Sequence, residues 1–190
     1  MIGVLDLGWG NLASLGHGLD TLGKPWRPVT DPSELAGCDR LVLPGVGAFG
    51  SAMEALRARG LDGALRAWPG PLLGICLGMQ LMLEGSQEAP GVAGLGLLPG
   101  ACEAFDAPDL RTLHMGWSAM DFQGRTRPVY FVHGYRLRAW TGSEADLGVA
   151  DHGGPFVAAF RCGRLGGFQF HPEKSGPDGL RLLEEALAWS

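Results

Sequence analysis

Residues 72–78 read Leu-Leu-Gly-Ile-Cys-Leu-Gly, a short apolar run in which two glycines flank a cysteine. Leu72–Ile75 suits a buried strand, and Leu77–Glu84 carries helical spacing of apolar residues. A chain that passes from strand to helix across Gly74-x-Cys76-x-Gly78 must turn sharply. Glycines on both sides of the bend remove the Cβ atoms that would obstruct it. This is the cysteine counterpart of the strained strand–turn–helix elbow formed by Gly-x-Ser-x-Gly segments. A buried strand that feeds directly into a helix points to a sheet covered on both faces.

The rest of the first half fits that demand. Strand patterns at Ile2–Leu7, Arg27–Val29 and Arg40–Leu43 alternate with helical patterns at Asn11–Leu22 and Ser51–Arg59, with a short helix or turn at Ser33–Leu35. The expected fold is α/β: an open mixed, largely parallel sheet with helices on both faces, of the flavodoxin-like kind. After about Gly91 short strands take over, at Leu113–Met115, Val129–Val132, Tyr135–Leu137, Phe156–Arg161 and Leu165–Phe170. They read as antiparallel additions to the sheet. Pro177–Trp189 reads as a closing helix. No Pro- or Ser-rich linker interrupts the chain, so residues 1–190 are read as one domain.

Composition narrows the function classes. Of 190 residues 46% are hydrophobic and 18% charged, which is globular, and the net charge of −5, with Lys24 and Lys174 as the sole lysines, argues against a nucleic-acid partner. The longest apolar stretch, Pro71–Leu83, is too short and too broken to span a membrane. The N-terminus lacks a basic, signal-like segment. Cys38, Cys76, Cys102 and Cys162 form no C-x-x-C pair. The expectation is a cytoplasmic protein in a reducing setting, with neither a metal nor a cofactor.

Three segments could carry chemistry. At the elbow, Cys76 would sit at a helix N-terminus, where free N–H groups favour a thiolate. The Leu77 N–H would point at an oxyanion, and Gln80 lies one helical turn further on the same face. In Gly167-Phe168-Gln169-Phe170-His171-Pro172-Glu173, Pro172 holds His171 in extended geometry. In an extended segment Glu173 projects to the same side and can orient the imidazole toward a nucleophile. Pro44-Gly45-Val46-Gly47 ends a strand and could turn backbone amides toward the same crevice. Each segment also has a plain reading taken alone: a structural cysteine, a loop histidine beside a solvated glutamate, and an ordinary turn.

Together these segments resemble the class I glutamine amidotransferases. Asp6 with Gly8-Trp9-Gly10-Asn11, Pro44-Gly45-Val46-Gly47-Ala48-Phe49-Gly50, Gly74–Leu81, His114-Met115-Gly116-Trp117, Tyr130-Phe131-Val132-His133 and Phe168–Gly176 narrow the likeness to the glutaminase subunits of imidazole glycerol phosphate synthase. Ser118 stands where that family usually has Asn, Gly134 where Ser or Thr is common, and Leu7 where Tyr is frequent. The resemblance implies a Cys76–His171–Glu173 triad that hydrolyses glutamine, an oxyanion hole near Val46 and Leu77, and substrate contacts at Gly45, Gly47, Gln80 and Glu88. It implies a heterodimer with a (β/α)₈-barrel cyclase, which takes the ammonia to make imidazole glycerol phosphate and AICAR in histidine biosynthesis. Trp117, Tyr130, His133 and Lys174 match positions at that junction. From the residues alone, ordinary packing or surface is the plain reading for Trp117, Tyr130 and Lys174, and a satisfied histidine between strands is the equal alternative for His133. A glutaminase serving another synthase, and a scaffold that has lost activity, are the competing readings.

Overall fold

The computed structural model describes residues 1–8, 12–106 and 113–189. Trp9, Gly10 and Asn11 of the N-terminal motif lie outside the described residues, as does the expected helix start at Asn11. In chain order the elements are β1 (Ile2–Leu5), α1 (Leu12–Thr21), β2 (Trp26–Val29), a 3₁₀ turn (Pro32–Leu35), β3 (Arg40–Gly45), α2 (Phe49–Ala58), α3 (Leu61–Ala67), β4 (Leu72–Cys76) and α4 (Leu77–Leu81). Then follow β5 (Gly85–Ser86), β6 (Ala101–Ala104), β7 (His114–Phe122), β8 (Arg125–His133), β9 (Tyr135–Arg136), β10 (Asp146–Asp151), β11 (Pro155–Cys162), β12 (Leu165–Phe168), a 3₁₀ turn (Pro172–Lys174) and α5 (Gly176–Leu187).

The main sheet has the order β2-β1-β3-β4-β12-β11-β10-β7-β8. It is parallel from β2 through β12 and antiparallel from β12 to β8. Strand alternation divides the core into two layers. Leu41 and Leu43 of β3 pack with Phe49, Met53 and Leu56 of α2 and Leu61 and Leu65 of α3. Val42, on the opposite face, packs with Leu15 and Leu19 of α1 and Leu182 and Leu183 of α5. Each of these side chains is fully buried or nearly so, and burying each from water contributes about 2 kcal/mol. The parallel half is thereby clamped between helices, and its strand ends are fixed relative to one another.

Several elements differ from the sequence reading. The helix after the elbow ends at Leu81, not Glu84: Met82 and Leu83 donate back to Met79 and Gln80, a three-residue tightening that closes the helix. The amide of Glu84 turns to the Gly100 carbonyl at 2.9 Å, starting a small β5-β6-β9 sheet. Helix α3 was not expected, because Gly63 in Leu-Asp-Gly-Ala-Leu weakens its helical signal. Strand β10 was not expected either. Its Asp ends and central Gly148 disguise it, yet a Cβ on Gly148 would lie 2.8 Å from that of Ala159 on β11, so the strand pair approaches there through glycine.

Candidate active site

Strands β3, β4 and β12 are parallel neighbours, with Gly45 opposite Cys76 and Phe168 opposite Ile75. Their C-terminal ends therefore deliver the Pro44–Gly47 turn, the elbow and the His171 segment to one edge of the sheet. Cys76 has φ 52° and ψ −113°, a left-handed conformation that costs a residue with a side chain on the order of 1–3 kcal/mol. The surroundings impose it. A Cβ on Gly78 would lie 1.7 Å from the Leu43 carbonyl oxygen, and one on Gly74 would lie 2.6 Å from the Met79 backbone. The bend can pass between β3 and α4 only with glycine at both flanking positions. Because α4 spans five residues, its dipole is a weaker aid to a thiolate than the longer helix read from the sequence.

His171 is anchored by its backbone: its N–H donates to the Tyr130 carbonyl at 3.0 Å, and its own carbonyl accepts the Ser175 hydroxyl at 2.6 Å. Its Nδ1 lies 2.8 Å from Glu173 Oε1. The pairing is as expected, but its geometry is not: Glu173 sits in the 3₁₀ turn Pro172–Lys174, not in an extended segment, because proline is well suited to open a helical turn. The other imidazole nitrogen, Nε2, is buried and lacks a well-formed hydrogen bond among the described residues, as does Glu173 Oε2. Burial lowers the His171 pKa, but hydrogen bonding and charge from Cys76 and Glu173 outweigh it and raise the value to about 9.

A cavity of about 330 Å³ opens over the elbow, lined by Cys76, Leu77, Gln80, Glu88 and His171, by Val46 and Gly47, by Val132–Tyr135 and by Lys174. Its size suits a small-molecule site. Gln80 donates both amide hydrogens into the protein, to the Tyr135 carbonyl and to Gln169 Oε1, each at 3.0 Å, so its carbonyl oxygen is the group left for a ligand. Glu88 Oε2 accepts from the Phe49 N–H at 3.0 Å. It thus caps α2, whose N-cap Ala48 has no side chain able to do so. Gly134 leaves its part of the wall without a side chain. Gly45 does not line the cavity. A Cβ there would meet Leu77 Cβ at 2.8 Å and the Gly78 nitrogen at 2.9 Å, so this glycine makes room for the elbow and is not a wall residue. Trp117 and Tyr130 also lie off the wall, paired across β7 and β8 with their rings edge-to-face at 6.0 Å.

Two residues near the nucleophile had no role in the sequence reading. Gln169 is fully buried and its Nε2 donates to Cys76 Sγ at 3.9 Å. A polar residue between Phe168 and Phe170 was the available signal. Ser175, also buried, accepts the Tyr130 N–H at 2.9 Å while donating to His171, and so ties β8 to the histidine turn. His133 is a buried, satisfied histidine on the cavity wall. Its Nδ1 lies 2.8 Å from the Tyr135 carbonyl, which can only accept, so Nδ1 carries the proton. Burial, the leading cause, lowers its pKa to about 3 and that of His114 to about 4, so both rings are neutral. His133 Nε2 must then accept from His114 Nδ1 at 3.1 Å, and His114 Nε2 must accept the Ser118 hydroxyl at 2.8 Å. Among the described residues no group of His, Cys, Asp or Glu is arranged to hold a metal ion.

Comparison with known proteins shows a family and a fold. The family described as Glutamine amidotransferase class-I matches residues 6–188. Imidazole glycerol phosphate synthase subunit HisH of Methanopyrus kandleri is 42% identical over 196 residues, covering 98% of this chain and 96% of that protein. The chloroplastic imidazole glycerol phosphate synthase hisHF of Arabidopsis thaliana is 38% identical, covering 98% of this chain and 34% of its own length. Among solved structures, a glutamine amidotransferase superposes with a TM-score of 0.80 at 23% identity, covering 98% of this chain and 96% of that one, a likeness of fold.

Proposed function

The chain belongs to the glutaminase-subunit (HisH) family of imidazole glycerol phosphate synthase, within the class I glutamine amidotransferases of histidine biosynthesis, and from that premise we propose that Cys76, His171 and Glu173 carry out its glutamine hydrolysis. One observation carries the assignment of residues. A cysteine held in left-handed backbone at a strand–helix elbow shares a cavity with a histidine whose Nδ1 is bound to Glu173 and whose Nε2 has no well-formed bond.

In this reading the Cys76 thiolate attacks the carboxamide carbon of glutamine, forming a C–S bond. The developing oxyanion takes hydrogen bonds from the N–H of Leu77 and, across the crevice, that of Val46. With a pKa of about 9, His171 holds its proton at neutral pH and gives it to the departing nitrogen as the C–N bond breaks, releasing ammonia and leaving a glutamyl thioester. His171 then takes a proton from water, the resulting hydroxide attacks the thioester, and the C–S bond breaks to give glutamate. Glu173 keeps the imidazole in the required tautomer. The Gln80 carbonyl oxygen and the Glu88 carboxylate are suited to the ammonium of the substrate, and Gly47 leaves room for its backbone.

The partner in this proposal is a (β/α)₈-barrel cyclase that receives the ammonia and makes imidazole glycerol phosphate and AICAR. Association is supported by the plant protein in which a region like this chain forms about a third of one polypeptide. The contact surface is assigned to β7 and β8, where Met115 and Trp117 of β7 are 60% and 57% exposed and Leu113, just before β7, is 42% exposed, with Tyr130, His133 and Lys174 between that surface and the cavity. Residues 1–190 act as one glutamine amidotransferase domain, in the cytoplasm. Among the described residues no helix is long and apolar enough to cross a membrane. The test is glutamine hydrolysis with and without the cyclase and its ligand: stimulation by the loaded cyclase is expected, and hydrolysis that survives Cys76→Ala would overturn the mechanism.

A further inference from the structure

Besides the His171 imidazole, which acts on it by hydrogen bonding and charge, the sulfur of Cys76 has two further polar contacts among the described residues. It lies 3.8 Å from the Val132 carbonyl, to which the thiol donates, and 3.9 Å from Gln169 Nε2, which donates to it. These contacts favour opposite charge states. A carbonyl oxygen can hold a neutral thiol but repels a thiolate, whereas an amide N–H favours the anion. We infer that Gln169 is a positioning residue for the glutaminase reaction: its side-chain amide is locked with the N–H toward Cys76 Sγ, where it holds and stabilises the thiolate.

The lock follows from hydrogen-bond polarity. The Tyr135 carbonyl accepts from Gln80 at 3.0 Å and from His133 Nδ1 at 2.8 Å. Because a carbonyl cannot donate, Gln80 must present its NH₂ there. The second hydrogen of that NH₂ goes to Gln169 at 3.0 Å, which forces Gln169 to offer Oε1 to Gln80 and Nε2 to the sulfur. Flipping Gln169 would set its oxygen against the sulfur and its NH₂ against the NH₂ of Gln80. Full burial of Gln169 removes water as an alternative partner for either end. The same amide thus fixes the nucleophile and the Gln80 group offered to substrate, linking the two halves of the site through one side chain.

This inference rests on Cys76 being the nucleophile. The charged and titratable groups that share the cavity wall with Cys76 are His171, His133, Tyr135, Glu88 and Lys174, with Glu173 behind His171 and the Cys102 thiol, which burial keeps protonated, nearby. All are retained when Gln169 alone is changed. The experiment follows alkylation of Cys76 by iodoacetamide against pH in the full chain. In Gln169→Met the midpoint is expected to rise by about one pH unit, and kcat/KM at neutral pH to fall roughly tenfold, mostly in kcat. Gln169→Glu, nearly the same shape with only acceptors toward the sulfur, is expected to raise the midpoint further. A folded variant with an unchanged midpoint overturns the inference. Should neither variant fold, the unsubstituted protein decides. The side-chain amide resonances of Gln169 should titrate with the alkylation midpoint, and Cys76→Ala should abolish that response; resonances indifferent to pH overturn the inference. Hydrolysis surviving Cys76→Ala would instead remove the nucleophile assignment beneath it.

Discussion

Glu173 meets His171 from a helical turn and not from an extended strand, with Oε1 2.8 Å from Nδ1 and the whole contact buried. Pro172 makes this possible by ending the β-geometry at His171, which has φ −97° and ψ 101°, and opening the turn that swings Glu173 back. The pair is consequently rigid at both ends: Ser175 and Tyr130 hold the histidine backbone, and the turn holds the carboxylate.

That rigidity sets a pH dependence. The His171 pKa is raised to about 9, so the imidazolium that protonates the leaving nitrogen is present at neutral pH and disappears as pH rises through that value. Glutaminase kcat/KM is expected to fall above about pH 9, an alkaline limb. Glu173→Gln removes one of the two partners that raise the pKa and should move this limb to lower pH while reducing kcat by about 10²-fold or more. A limb at the same pH in Glu173→Gln would show that the carboxylate does not support the imidazolium.

Glycines in this chain differ sharply in what replacement would do. Gly78→Ala puts a methyl 1.7 Å from the Leu43 carbonyl oxygen, backbone against backbone, and is expected to destabilise by about 3 kcal/mol or more or to prevent folding. Gly63→Ala, inside α3 with nothing within 4 Å of the added Cβ, should stabilise by up to about 1 kcal/mol. Urea unfolding of the two variants checks both signs. Equal stabilities would contradict the packing described at the elbow.

Trp117 is the exposed aromatic of the proposed cyclase-facing surface, flanked by Met115 and Leu113. Large aromatic side chains at the centre of an interface often contribute about 2 kcal/mol or more. Trp117→Ala is therefore expected to weaken association with the cyclase by roughly 30-fold. Calorimetric titration of the cyclase into each protein measures this. A Kd within threefold of the original would remove β7 from the interface.

The sequence exposed the elbow because its demand is local: a sharp bend between strand and helix needs its glycines within two residues of Cys76. The His171–Glu173 pair was legible for the same reason, although its turn geometry was not, since proline permits either an extended or a helical continuation. Gln169 and Ser175 were missed because their partners, Gln80 and Tyr130, lie 89 and 45 residues away and are met only through strand order. For Gly45 the strand end was legible, but only the register against Cys76 shows that its missing side chain makes room for Leu77. Strand β10 and the β5-β6-β9 sheet draw stability from non-local pairing, which residue periodicity does not carry.

The neutral His114–His133 pair makes a prediction about acid stability. Burial lowers these pKa values to about 4 and 3, whereas both histidines titrate near 6.5 when unfolded. Below pH 6.5 the unfolded chain binds protons that the folded pair refuses, so stability falls with pH until the folded values are reached, by at most about 1.4 kcal/mol per pH unit for each ring. His171 has the opposite sign. Its raised pKa contributes stability that is full below about 6.5 and is lost as pH climbs to about 9. Protonating His133 would also turn its Nε2 into a donor facing His114 Nδ1–H, which breaks the 3.1 Å bond and frees the Ser118 end of the chain. Urea unfolding between pH 5 and 6.5 should show this loss, and His114→Gln should reduce the slope of stability against pH by about one proton relative to the unsubstituted protein. An identical slope in the two proteins would mean that His114 titrates normally in the fold and that its bond to His133 does not fix the ring in the neutral state.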